Sequence, residues 1–386
     1  MPPLTRNAMI VAAVMMVAGT ATYVWPQPAP ATSVPTLQLA PEARFTARLT
    51  APQADLAPLP ARISGTAAAG EAPGSLIHEW PSLIAEARFA GTGVTLRLDD
   101  RINRWRVSLD GAWIELSRPG TRDLRIEGLA PGEHLIRAER ISESDGPAIF
   151  GGFFLDRDAV PLPAPDPRPR TIEFIGDSDT VGFGNTSKRR ECSGAQIFAA
   201  TDTSQSFPAR LAGALGADYR VIARSGIGLL RNYGGATPDR TMRTDYPLAV
   251  PSDMQAERLP QPAAGMLVIG LGSNDFGSDI AEGEPWADHA AVSRDFGPAL
   301  LEFARARLLE NPGAPLILLA FGEYGDDLMR AYLSAHEALL AEGFTVRLVT
   351  LPKLQRRACL WHPSLADHEM IAETLEKSIR TEFPGW

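Results

Sequence analysis

Four short segments carry residues able to do chemistry together. Gly176-Asp177-Ser178-Asp179 is a glycine-assisted turn presenting a serine hydroxyl, which becomes a nucleophile when a base is ready for its proton. Ser225-Gly226-Ile227-Gly228 offers a backbone N–H, and Gly272-Ser273-Asn274-Asp275 adds a side-chain amide. Donors fixed in advance in this way form an oxyanion hole, facing the oxygen on which negative charge develops. Trp361-His362-Pro363-Ser364 supplies a candidate base, and the capping-box spacing of Ser364 and Asp367 sets His362 in a loop just ahead of a helix. Any one of these is ordinarily a turn or an Asx-turn. Together and in this order they describe acyl transfer: Ser178 attacks a carbonyl, His362 takes and returns the proton, and the Ser178 and Gly226 N–H groups with the Asn274 amide hold the oxyanion. Asp177 reads as bonding backbone around its turn.

The elements that must position these residues follow from the hydropathy pattern. After Arg170, apolar strands at Thr171–Ile175, Arg220–Ala223, Met266–Leu271, Leu316–Phe321 and Thr345–Leu351 alternate with helical stretches near 205–215, 294–310, 326–341 and 364–382. That is an open parallel α/β sheet over 171–386, whose ligands bind beyond the carboxyl ends of the strands, where the four segments lie. Residues 76–160 alternate with period two, with strands such as Val94–Leu98, Trp105–Leu109 and His134–Arg140, and read as a β-sandwich. The proline-alternating stretch 161–170 is expected to be a stiff linker. Residues 26–75, rich in Ala and Pro, are expected to form an unstructured spacer. Residues 1–25, with Arg6 before the apolar run Ala8 to Ala18, fit a signal peptide and, stretched to Trp25, a membrane anchor equally well. Export, periplasmic or extracellular, follows from either.

The 386 residues suit two domains and an appendage, and the net charge of -9 argues against a nucleic-acid partner, since phosphate backbones are held by Lys and Arg clusters. Two cysteines, Cys192 and Cys359, are too few for a zinc site without histidines at ligand spacing, and the chemistry needs neither metal nor cofactor. His289 reads as a loop residue, and His336 and His368 as structural helix residues. Trp80, Trp105 and Trp113 read as sandwich core before sugar-stacking rings.

The four segments resemble the four blocks of the SGNH (GDSL) hydrolase superfamily, with Ser178, Gly226, Asn274 and His362 at the matching positions. The longer stretches Ser225–Gly234, Gly272–Phe276 and Trp361–Ser364, behind a β-domain containing Gly132-Glu133-His134 and Phe150-Gly-Gly-Phe153, resemble carbohydrate esterase family 2. The resemblance implies a jelly-roll domain followed by a flavodoxin-like SGNH sheet, and removal of acetyl groups from acetylated polysaccharide or oligosaccharide. Trp361 and Asp275 become the candidates for substrate contact. A lipid or thioester acyl hydrolase built on the same blocks, and a carbohydrate-binding protein without turnover, remain as alternatives.

Two positions depart from the superfamily. Asp179 puts a second carboxylate beside the nucleophile, and Cys359 occupies the position, three before the histidine, where the superfamily usually has Asp. The resemblance implies a Ser178–His362 dyad with a backbone carbonyl on the second imidazole nitrogen, while Glu323 and Asp367 stay open as displaced acids. If Ser178 and His362 are neighbours, Cys192 and Cys359 share one rim and could form a disulfide; two separate buried thiols are the other reading.

Overall fold

The structure, a computed structural model, describes residues 34–143 and 146–386. The expected signal or anchor segment 1–25 lies outside the described residues. Among those described, β1 (Thr36–Leu39), β2 (Thr46–Thr50), β3 (Ala57–Leu59), β4 (Arg62–Ser64), β5 (Ala68–Ala69), β6 (Leu76–His78), β7 (Ile84–Asp100), β8 (Arg104–Leu109), β9 (Ala112–Ser117), β10 (Gly120–Arg140), β11 (Ala148–Leu155) and β12 (Val160–Leu162) form one antiparallel β-system. Its spine is the pair β7 and β10, in register from Gly120 opposite Asp100 to Glu139 opposite Ile84, with a shift between Glu127 and Gly132. Period-two patterning turns Leu96, Leu98, Trp105, Val107, Ile114, Leu116 and Ile136 inward, and these close-packed side chains are the core.

The spacer expectation fails for residues 36–69, which supply β1 to β5. These strands add singly to longer neighbours, β1 to β9, β2 to β10, β3 to β11, β4 to β7 and β5 to β6. Each is two to five residues long. Too few apolar residues fall on any one to show a period, and what orders them is the unpaired edge they complete. The expected linker likewise begins as β12, an edge strand in which Pro161 stands opposite Phe89.

Five parallel strands build the second part: β13 (Thr171–Gly176), β14 (Asp218–Ala223), β15 (Met266–Gly270), β16 (Leu316–Ala320) and β17 (Val346–Thr350), in the order β14-β13-β15-β16-β17. Their helices are α1 (Ser178–Val181), α2 (Gly194–Ala200), α3 (Phe207–Ala214), α4 (Met242–Asp245), α5 (Ser273–Phe276), α6 (His289–Glu310), α7 (Asp326–Ala341) and α8 (Leu365–Glu382). One core packs α6 and α7 on one face, the other packs α3 and α8 on the opposite face. Strand order reverses at β13, so the turns after β13 and β15 flank the crevice where such sheets bind ligands.

The two parts are bolted together. Trp80 of the β-part is buried in the core of the α/β-part, its Nε1 donating to the Leu248 carbonyl at 2.9 Å. Arg106 pairs with Asp202 at 2.7 Å, and Glu143 accepts the Ser225 N–H at 2.9 Å, beside one of the glycine turns. Trp80 and Trp105 are fully buried and present no face to a sugar.

Candidate active site

Gly176 ends β13 where a Cβ would stand 2.0 Å from Thr180 Oγ1, so only glycine lets the chain turn this tightly into α1. Asp177 caps that turn, accepting the Asp179 N–H at 3.0 Å and the Ser273 hydroxyl, which ties the serine turn to the turn after β15. Ser178 is the first residue of α1, and its Oγ lies 3.0 Å from His362 Nε2.

The imidazole owes its orientation to strained backbone. Leu360 and Trp361 hold φ of 49° and 63°, left-handed values that non-glycine residues adopt at a cost. They turn the Cys359 and Leu360 carbonyls onto His362 Nδ1 at 3.0 and 3.1 Å. Carbonyls only accept, so Nδ1 carries the ring proton and Nε2 presents its lone pair to the Ser178 hydroxyl. Burial lowers the His362 pKa; the Asp179 charge works against that and Arg356 with it. The ring is therefore neutral at neutral pH, the state a general base requires.

Neither displaced acid reaches the ring. Glu323 accepts from Arg356 Nε at 2.6 Å. Asp367 accepts the backbone N–H groups of Gln355, Arg356 and Ser364 at 2.8, 3.1 and 2.9 Å and holds that loop in place. The arrangement is a serine–histidine pair completed by backbone carbonyls.

Gly226, at φ 79°, and Asn274, whose Nδ2 donates to the Ile227 carbonyl at 2.8 Å, belong to two turns locked on each other. Asp275 does the locking and corrects an expectation. Expected to touch substrate, it is fully buried, and its carboxylate accepts the N–H groups of Leu229, Leu230 and Arg231 at 3.0, 2.8 and 2.9 Å. Burial pushes its pKa up to about 6, against the pull of those three donors. Asn232 scaffolds the same loop, accepting the Gly228 N–H at 2.9 Å and donating to the Arg240 carbonyl at 2.7 Å.

A cavity of about 490 Å³ opens over the pair, lined by Ser178, Asn274 and His362 with Tyr233, Tyr324, Lys353 and Trp361. Gly226 lines an adjoining cavity of about 390 Å³ that shares Tyr233 with the first. Trp361 forms an exposed wall, with the Arg190 guanidinium 3.5 Å above its ring. Cys192 and Cys359 form a disulfide with Cα atoms 5.4 Å apart, pinning the residue whose carbonyl orients His362. His289 starts α6 instead of lying in a loop, and buried His368 accepts the Phe207 N–H at 3.3 Å. Tyr324, Lys353 and Arg356 escaped sequence reasoning, because nothing in their spacing separates them from surface residues.

The family model described as Carbohydrate esterase 2 N-terminal matches residues 69–165. The chain is 34% identical over 335 residues to an acetylxylan esterase / glucomannan deacetylase of Cellvibrio japonicus (strain Ueda107), spanning 85% of this chain and 93% of that protein. Among solved structures, it is similar to a carbohydrate esterase whose active site is described as having divergent catalytic and non-catalytic binding functions. That match has 31% identity and a TM-score of 0.78, covering 84% of this chain and 98% of the other. A family two carbohydrate esterase from Clostridium thermocellum in complex with cellohexaose superposes with a TM-score of 0.70 at 27% identity, covering 83% and 99% of the two chains. Likeness to the Cellvibrio enzyme over nearly all of its length, together with the shared two-part fold, makes this chain a member of carbohydrate esterase family 2.

Proposed function

We propose that this protein is an exported serine esterase that removes acetyl groups from acetylated polysaccharide or oligosaccharide. The observation that supports this most is the 3.0 Å contact between Ser178 Oγ and a His362 Nε2 free to accept its proton, opening on a cavity that Asn274 also lines. Ser178 attacks the acetyl carbonyl as His362 takes its proton, and His362 returns that proton to the departing sugar hydroxyl. Water then repeats the sequence to free acetate. The Ser178 and Gly226 N–H groups and the Asn274 amide hold the oxyanion; losing one such donor costs about 100- to 1,000-fold in turnover. The Cellvibrio relative is named for acetylxylan and glucomannan, and these are the substrates proposed here. Export is supported by the Cys192–Cys359 disulfide, which persists in oxidising compartments.

Charged and polar walls, Glu323, Lys353 and Arg356, favour a short acyl group on a sugar over a lipid chain, which needs an apolar groove. The test is acetate release from acetylated xylan and glucomannan beside a series of 4-nitrophenyl esters. Acetyl esters are expected to turn over far faster than octanoyl esters. Equal rates, with no acetate from either glycan, would refute the assignment.

A further inference from the structure

Asp179 follows the nucleophile directly and takes no part in the transfer just described. Its buried carboxylate accepts two N–H bonds from one arginine, Oδ1 from Arg356 Nη1 at 3.0 Å and Oδ2 from Nη2 at 2.6 Å. Arg356 belongs to the loop that carries His362. Its Nε donates to Glu323 at 2.6 Å and its Nη1 to the Trp361 carbonyl at 3.4 Å. Its backbone is held equally firmly: φ is 49°, the N–H donates to Asp367 at 3.1 Å, and the carbonyl accepts from Arg190 Nε at 2.8 Å. A two-pronged guanidinium–carboxylate contact fixes orientation as well as separation, which a point charge does not.

The dyad lacks something such a contact supplies. Carbonyls on Nδ1 orient the ring but bring no full charge to the imidazolium that forms during transfer, a task the buried aspartate performs in a complete triad. Around His362, Asp179 on α1 favours the charged ring and Arg356 opposes it. Glu323 and Lys353 lie on the cavity wall, Asp367 is taken up by loop backbone, buried His368 sits in α8, and Asp177 lies behind Ser178, bonded to Ser273.

We propose that the Asp179–Arg356 ion pair is the positioning element of the dyad, tying the helix that carries Ser178 to the loop that carries His362. This rests on the reading of Ser178 and His362 as nucleophile and base.

The test uses the full chain, 4-nitrophenyl acetate, and diethyl 4-nitrophenyl phosphate as a probe that reacts with an activated serine and contains no sugar. Asp179→Asn is expected to lower kcat by about 10- to 100-fold, the scale of a slightly misplaced catalytic group, with KM changed less than about threefold. It also moves the acid limb of kcat/KM to lower pH, because Arg356 then disfavours the imidazolium unopposed. Arg356→Lys recovers part of the turnover lost in Arg356→Met. Turnover of Asp179→Asn within about twofold of wild type, or a loss matched by a lower Tm with the acid limb unmoved, overturns the proposal. If Asp179→Asn does not fold, equal kcat in wild type, Arg356→Lys and Arg356→Met overturns it. A wild type inert to the phosphate refutes the dyad reading itself, whereas equal labelling of wild type and Asp179→Asn refutes this proposal alone.

Discussion

A serine hydroxyl is a poor nucleophile until its proton has somewhere to go, and in this protein His362 Nε2 faces it at 3.0 Å. His362→Ala should therefore lower turnover by about a thousand-fold or more while the protein stays folded. Glu323→Gln, which would be as damaging if Glu323 were the missing acid, should cost less than about tenfold, because its carboxylate bonds Arg356 and not the ring. Steady-state kinetics with a melting curve for each variant checks both. Burial sets the expected pH dependence. It lowers the His362 pKa, so the ring stays neutral and able to accept a proton to a lower pH than a free imidazole would. The acid limb of kcat/KM should have its midpoint below the usual value of about 6.5; a midpoint at or above it would contradict the burial argument. Glycine turns and a capping box made Ser178, Gly226, Asn274 and His362 legible as candidates in the sequence; the structure brings Ser178, Asn274 and His362 to one cavity and Gly226 to the adjoining one. Asp275 misled, because an aspartate beside a candidate oxyanion donor looks the same whether it faces a ligand or three backbone N–H groups.

Two turns and one loop hold the site, and each has a specific fastening. Asp275→Ala would leave two buried N–H groups and a part-buried one unpaired, at about 1–3 kcal/mol for each buried group, and should lower the unfolding free energy by several kcal/mol in denaturant titration. At Gly228 a Cβ would stand 1.9 Å from the Arg231 carbonyl oxygen, so Gly228→Ala must displace the turn that carries Gly226 and should depress kcat more than KM. The Cys192–Cys359 disulfide closes a sequence separation of 167 residues, for which chain entropy allows about 5 kcal/mol at most. Reduction should lower both stability and turnover, since the Cys359 carbonyl orients the base. Full activity in the reduced protein would show that the loop holds its shape without the bond. The five parallel strands, five or six residues long, were legible as largely apolar runs whose bounds differ from the observed ones by one or two residues. The short helices α1, α4 and α5 were not, because four residues are too few to show a helical period.

In the whole molecule the β-part is no detachable module. Trp80 fills the core of the α/β-part, and Glu143 reaches the Ser225 turn beside the proposed oxyanion donors. Residues 171–386 expressed alone should therefore lose most esterase activity and stability, as followed by 4-nitrophenyl acetate turnover and thermal melting; an active, stable fragment would show that these contacts are dispensable. The sequence suggested two parts and their order but missed strands 36–69, whose pairing partners are set by the tertiary edge they cover and not by their own pattern. If Ser178 is acylated by acetyl groups taken from a glycan, release of acetate must depend on it. The most direct measurement is acetate release from acetylated glucomannan by wild type, Ser178→Ala and His362→Ala under identical conditions. Steady release by wild type, with both variants lower by about a thousand-fold or more at unchanged melting temperature, is the predicted result. Release by Ser178→Ala within about tenfold of wild type would show that Ser178 is not the nucleophile.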